Sequence, residues 1–204
     1  MKLSTSKLFL IFIISFLIFI VTWLFRDNRD LKKEVFLFEQ KLESSKSNIN
    51  SLLGDDYIRF QNYNLPIDKQ LNIYSEQDTI SFADLVEKYK ELLIFRYSEV
   101  NCMACVEKEI VNLRDFIDRN DIKLVVIASY TNDRDLFLFK RVNKIPKYII
   151  YNIKEGALNL PVENINLPYY FILDSNYKAN NLFVPDKNFP ERSLKYLNSV
   201  VKKY

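Results

Sequence analysis

Leu92-Leu-Ile-Phe-Arg-Tyr-Ser-Glu-Val-Asn-Cys-Met-Ala-Cys105 carries a short apolar run straight into the only two cysteines of this 204-residue chain. Leu92 to Tyr97, bounded by polar residues, has the length and continuity of a strand buried on both faces. A helix from Cys102 to about Arg119 should follow, capped by Asn101, with Val106, Ile110, Leu113 and Ile117 forming one buried stripe. Two cysteines placed at random in such a chain fall three apart roughly one time in a hundred, so the spacing calls for a reason. At a helix start, thiols three apart lie on neighbouring faces of one turn and close a disulfide with little backbone movement. Such a tight, exposed ring exchanges more readily than a bridge between distant elements. Unpaired N–H groups and the helix dipole favour a thiolate at Cys102 over Cys105, a turn deeper. The dipole alone supplies about 0.3–1 kcal/mol, less than roughly one pKa unit, which orders the two thiols without setting a potential.

Strands and helices alternate on either side of this stretch. Leu71 to Tyr74 reads as a short strand, and Ser81 caps a helix through about Tyr89. After the cysteine helix come a strand at Ile122 to Ala128 and a helix opened by Asn132 or Asp133 that runs to Val142. Tyr148 to Tyr151, Tyr169 to Leu173 and Leu182 to Val184 are three more strands, the last two parted by the turn-forming Asp174-Ser175-Asn176. Pro190 begins a final helix, with Leu194, Leu197 and Val200 or Val201 inward. The alternation predicts an α/β domain with helices on both faces of a mixed sheet.

The N-terminus is of another kind. Leu8 to Phe25 is an apolar run interrupted only by Ser15 and Thr22, reaching about 27 Å as a helix, close to the hydrocarbon thickness of a bilayer. Trp23-Leu24-Phe25-Arg26 offers no small-residue cleavage site, so the span is expected to stay as an anchor rather than leave as a signal peptide. Residues 26–53 follow as a helical stalk in which Leu31, Val35, Phe38, Leu42, Ile49 and Leu52 recur at coiled-coil steps, with Ser45 breaking the seam. A short coiled coil that pairs two chains and a single helix lying on the body are both open readings. Gly54-Asp55-Asp56 closes the stalk, and Leu65-Pro66 is extended or turn. The expected division is a tail at 1–7, an anchor at 8–25, a stalk at 26–56 and one globular domain at 57–204. Arg26, Arg29, Lys32 and Lys33 outnumber Lys2 and Lys7 across the span, a balance that by itself favours a cytoplasmic body.

Composition closes many functions. With 29 basic and 26 acidic residues interspersed and a net charge of +3, the chain has no nucleic-acid footprint. It contains no histidine, which excludes imidazole acid–base catalysis and histidine-ligated metals. Gly54 and Gly156 are its only glycines, too few for a P-loop or a dinucleotide fingerprint.

The stretch Leu92 to Cys105 resembles the strand–CxxC–helix core of the thioredoxin superfamily. Asn166-Leu-Pro-Tyr-Tyr-Phe-Ile-Leu-Asp174 resembles its later strand, where a cis-proline faces the disulfide. The segment around Lys147 to Pro161 is similar to the insertion of membrane-tethered, TlpA-like members. The resemblance covers about residues 71–204 and implies a three-layer α/β/α domain with a mixed central sheet. It further implies Cys102 as attacking nucleophile, Cys105 as resolving thiol, Pro168 as the cis residue and the Leu167 backbone as the strand that pairs with an extended substrate. The partners implied are protein thiols and disulfides with a redox donor, on the exported, periplasmic side of the membrane, without any cofactor. Asn101 stands where a tryptophan is common, and Arg96 stands where a buried acid often serves the resolving thiol. Arg96 is then either a core-edge residue paired with Glu99 or a cation that stabilises a thiolate.

Two other classes compete with an exchange enzyme. In a redox-inactive scaffold of an envelope complex the cysteines would be two small hydrophobes. A soft-metal site would use Cys102, Cys105 and Met103, but zinc wants four ligands and this chain offers no further cysteine or histidine. A peroxidase is weaker still, since the hydroxyl residue expected three positions before the reactive cysteine is Glu99 or Cys102.

Overall fold

The computed structural model describes residues 5–76, 78–117, 123–145 and 150–201, and their side chains except those of 5–14, 48, 115 and 201. The chain divides into two compact units, residues 1–53 and 54–204.

Most of the first unit is a single helix, the start of α1 (Thr5–Gln61). Among the described residues no helix is long and apolar enough to cross a membrane. The first seven residues of the predicted Leu8–Phe25 span lie outside those whose side chains are described. The boundary between the two units falls at Gly54, but the helix does not end there and α1 continues to Gln61. A glycine inside a helix costs only about 1 kcal/mol relative to alanine. The turns after it are held within the second unit by an Asp55–Arg192 ion pair, by Arg59 Nε donating to the Leu182 carbonyl at 3.3 Å and by Ile58 packed on the core. The helix ends where Asn64 takes φ 60°, a left-handed conformation that asparagine adopts readily.

The second unit is built on an eight-stranded sheet in the order β1-β8-β7-β4-β5-β6-β2-β3 among the described residues. The strands are β1 (Leu65–Pro66), β2 (Asn72–Tyr74), β3 (Thr79–Ser81), β4 (Leu92–Ser98), β5 (Leu124–Ser129), β6 (Ile150–Asn152), β7 (Tyr169–Leu173) and β8 (Lys178–Phe183). β4, β5 and β6 run parallel, while β7 pairs antiparallel with both β4 and β8. This is a mixed central sheet, as the resemblance implied. β1 is the extended alternative of the Leu65-Pro66 reading, while β3 went unforeseen because three residues ending in a helix cap show no clear period of two. β8 begins four residues before the expected Leu182, since Asp174 accepts from the Asn176 and Lys178 amides at 2.8 and 3.0 Å and starts pairing at once.

Every residue of β4 is buried. Leu92 and Ile94 face one core with Phe82, Leu85 and Val86 of α2 (Phe82–Tyr89), and with Val162 of a short 3-10 turn at Pro161–Ile165. Leu93, Phe95 and Tyr97 face the other core. There they meet Val106, Ile110 and Leu113 of α3 (Met103–Ile117), Leu136 of α4 (Asp133–Val142) and Leu197 of α5 (Pro190–Val201). Helices thus cover both faces, giving three layers. α2 has the full capping box, with Ser81 accepting from the Asp84 amide and Asp84 accepting from Ser81, and Asn132 caps α4. The expected ends at Arg119, Ile122 and Tyr148 fall on residues outside the description.

Candidate functional site

β4 delivers the chain to the cysteines through one tight turn. The Asn101 amide donates to the Ser98 carbonyl at 3.0 Å, and the Asn101 side chain accepts from the Ser98 amide at 2.7 Å. Asn101 therefore closes the turn rather than capping α3, because its carboxamide is already spent on the strand end. The Cys102 carbonyl accepts from the Cys105 and Val106 amides at 2.9 and 3.1 Å, which makes Cys102 the residue that opens the helix. Cys102 and Cys105 form a disulfide, with Cα atoms 5.3 Å apart. Cys102 is partly exposed and Cys105 only 8% exposed, the order of access expected from their positions on the first turn.

The proline contradicts the resemblance. No peptide bond among the described residues is cis, so Leu167–Pro168 is trans. The turn into β7 is made instead by Asn166, in the left-handed region at φ 52° and ψ 36°. Trans is the form that an X–Pro bond favours, by about 0.5–1 kcal/mol. Tyr169 pairs with Arg96, so Leu167 and Pro168 leave the sheet at the end where β4 runs on to Cys102. Leu167 is 37% exposed and shares a crevice of about 10 Å³ with Asn101, beside Cys102 in sequence, whereas Pro168 is buried.

Arg96 lies at the floor of that crevice and is 2% exposed. It pairs with Glu163 at 3.2 Å and Glu155 at 3.8 Å, and donates to Ser129 Oγ at 2.7 Å and to the Tyr97 carbonyl. The Glu99 pairing does not form. Glu99 instead accepts from the Thr131 amide and hydroxyl at 3.0 and 2.5 Å, because it follows β4 into the exposed turn while Arg96 points into the sheet face below. Arg96 Nε, Glu163 Oε2 and the Tyr169 hydroxyl are buried here without a hydrogen bond of normal geometry. Burial pushes the Glu163 carboxyl above its ordinary range, opposed by Arg96, and burial followed by the Glu163 charge pushes the Tyr169 phenol well up. Nothing in the order of residues marked Glu163 as Arg96's partner.

A second acid, also unforeseen, sits on α3 four residues after Cys105. Glu109 is 3% exposed and accepts from the Tyr170 hydroxyl at 2.7 Å, Ser193 at 3.0 Å and Asn112 at 3.2 Å. The signal was available, since position 109 falls inside the Val106–Ile110–Leu113 stripe where an unpaired charge does not belong. Burial raises its pKa, against the pull of those three donors. A carboxyl raised in the fold stabilises it below the unfolded value, 4.5, and that contribution is lost as pH rises through the folded value. Glu109→Gln should therefore flatten the acid side of the stability–pH profile measured by urea unfolding and be the more stable protein at pH 8. Glu109→Ala should lose roughly 1–3 kcal/mol for each of the Tyr170 and Ser193 hydroxyls it strands. A Gln variant with the wild-type profile would remove Glu109 as a titrating core residue.

No family model matches the chain. It is 25% identical over 182 residues to the telomerase reverse transcriptase of Tetrahymena thermophila, a match that takes in 80% of this chain and 16% of that protein's length. Among solved structures it is similar to an uncharacterized thioredoxin-like protein from Porphyromonas gingivalis, at 18% identity and TM-score 0.47 over 70% of this chain and 95% of the other. The thioredoxin domain of a thiol–disulfide oxidoreductase from Bacteroides vulgatus follows at 14% and 0.45, covering 68% and 98%. A PrxQ variant from Xylella fastidiosa stands at 10% and 0.49, covering 69% and 95%.

Proposed function

We propose that this protein exchanges disulfides with other proteins through Cys102 and Cys105 while Leu8–Phe25 holds it in a membrane, its globular unit on the exported side. The observation that carries the chemistry is the cysteine pair itself, a closed disulfide at the start of α3 in which Cys102 is partly exposed and Cys105 buried. In the reduced protein the Cys102 thiolate attacks a partner disulfide. One partner sulfur leaves as a thiolate and takes a proton, and a mixed disulfide remains. The Cys105 thiolate then attacks Cys102 Sγ, the Cys102–Cys105 bond closes and the second partner thiol departs. Two electrons have passed to the partner, and a dithiol donor restores the pair by the reverse steps. Leu167, exposed beside the crevice, is the backbone along which an extended substrate would lie.

The anchor and the compartment rest on the uninterrupted apolar run and on where disulfides persist. Carbonate washing should leave the full-length chain in the membrane fraction, and protease added to intact spheroplasts should digest residues 26–204. Release by carbonate would remove the anchor, and protection of the body would place it in the cytoplasm as the flanking charges favour. In vitro, the reduced protein should open a peptide disulfide with stoichiometric closure of its own pair, and failure to do so would end the exchange reading.

A further inference from the structure

The helix of the first unit carries a seam longer than the stalk. Stepping by four and three residues, it runs Leu17, Val21, Leu24, Asn28, Leu31, Val35, Phe38, Leu42, Ser45, Ile49 and Leu52, without a skipped step, through α1. Val21, Asn28, Val35, Leu42 and Ile49 take one heptad position (a), and Leu17, Leu24, Leu31, Phe38, Ser45 and Leu52 take the other (d). β-Branched residues dominate the first set and leucine the second, the division that favours two parallel strands, and one polar Asn in the first set is the residue that fixes register and strand number. Below the anchor, Leu31 is 62% exposed, Phe38 67% and Ile49 55%.

We infer that the seam is occupied by a second copy of this chain, its helix parallel and in register. In that arrangement Asn28 meets the partner's Asn28 and Ser45 meets the partner's Ser45, so both polar seam residues face a hydrogen-bonding group rather than a leucine. The parallel direction rests on the anchor proposed above, since two copies inserted in one membrane point the same way; the pairing itself does not. The flanking charges take no part in holding it. Asp27 meets the partner's Lys32, but Glu34 meets the partner's Glu39 and Lys41 the partner's Lys46, pairs of like sign. Added salt screens these and should tighten the dimer.

The test uses the full chain in membranes and in detergent, with Cys102→Ser and Cys105→Ser as background so that one introduced thiol is the only reactive group. Ser45→Cys should give a covalent dimer with a short bismaleimide, while Ser47→Cys, off the seam, should give less than a tenth as much. The detergent-solubilised protein should have the protein mass of two chains. Leu42→Asp should weaken self-association at least tenfold while leaving helix content by circular dichroism unchanged. A single-chain mass at micromolar concentration, equal linking at Ser45 and Ser47, or an Asn28→Cys chain linking to a Ser45→Cys chain in place of Ser45 to Ser45 would each overturn the inference. Carbonate extraction of the same membranes reports separately on the anchor.

Discussion

Cys105→Ser should accumulate partner proteins as covalent adducts that dithiothreitol dissolves, and Cys102→Ser should accumulate almost none. The two sulfurs differ in access as well as in thiolate character. Cys102 opens α3 and is partly exposed, whereas Cys105 is 8% exposed. In the exchange proposed above, Cys102 attacks the partner disulfide and Cys105 releases the partner afterwards, by closing the ring across the 5.3 Å between their Cα atoms. Removing the second sulfur therefore stops the cycle at the mixed disulfide, and removing the first stops it before any bond forms. Turnover on a peptide disulfide should drop by more than about a hundredfold in Cys102→Ser, because no other thiol can replace it. In the reduced wild type, iodoacetamide should label Cys102 first. Equal, slow labelling of both thiols with no adducts from either variant would leave two buried structural cysteines and no exchange.

Arg96→Leu should be the most destabilising single change away from the cysteines. It leaves the Glu163 carboxylate, whose side chain is 8% exposed, without its cation, and a buried pair broken on one side typically costs roughly 3–5 kcal/mol. It also strips Ser129 Oγ and the Tyr97 carbonyl of a donor. The loss should depend on pH in a definite sense. Glu163 is already raised above 4.5 by burial despite Arg96, and without Arg96 it rises further. A raised carboxyl stabilises the fold below its unfolded value and loses that contribution as pH rises through the folded one, so the variant should recover stability toward pH 4.5 and be weakest above neutrality. Adding Glu163→Leu should restore much of what Arg96→Leu removes, because the uncompensated charge is then gone. Urea unfolding at several pH values measures all three proteins. An additive double variant, or a pH-independent loss, would show that Arg96 acts by packing alone.

The β4–cysteine–α3 passage was legible because every cause lies within a few residues of its effect. An unbroken apolar run has to be covered on both faces, and thiols three apart at a helix start have to share a turn. The caps at Ser81 and Asn132, the turn at Asp174 and the start of α5 at Pro190 are local in the same way, and each appears where the residues placed it. Where the sequence misled, a residue had two partners available and the local one lost. Asn101 bonds back to Ser98 instead of capping α3, and Gly54 is carried through α1 by contacts farther along the chain. The Leu167–Pro168 bond is trans, the form proline favours by about 0.5–1 kcal/mol unless tertiary packing selects the other.

The partners of the acids near the cysteines belong to tertiary structure alone. Arg96 meets Glu163 across 67 residues and Glu109 meets Ser193 across 84. Such pairs depend on which strands lie side by side and in what register, and a charge at a buried position specifies only that some partner must exist. The chain order thus determined a buried strand, a cysteine pair at the head of a helix and an apolar seam along α1. The fold decided which carboxylates Arg96 pairs with and which cysteine stays exposed, because burial and register are properties of packed elements rather than of any one segment.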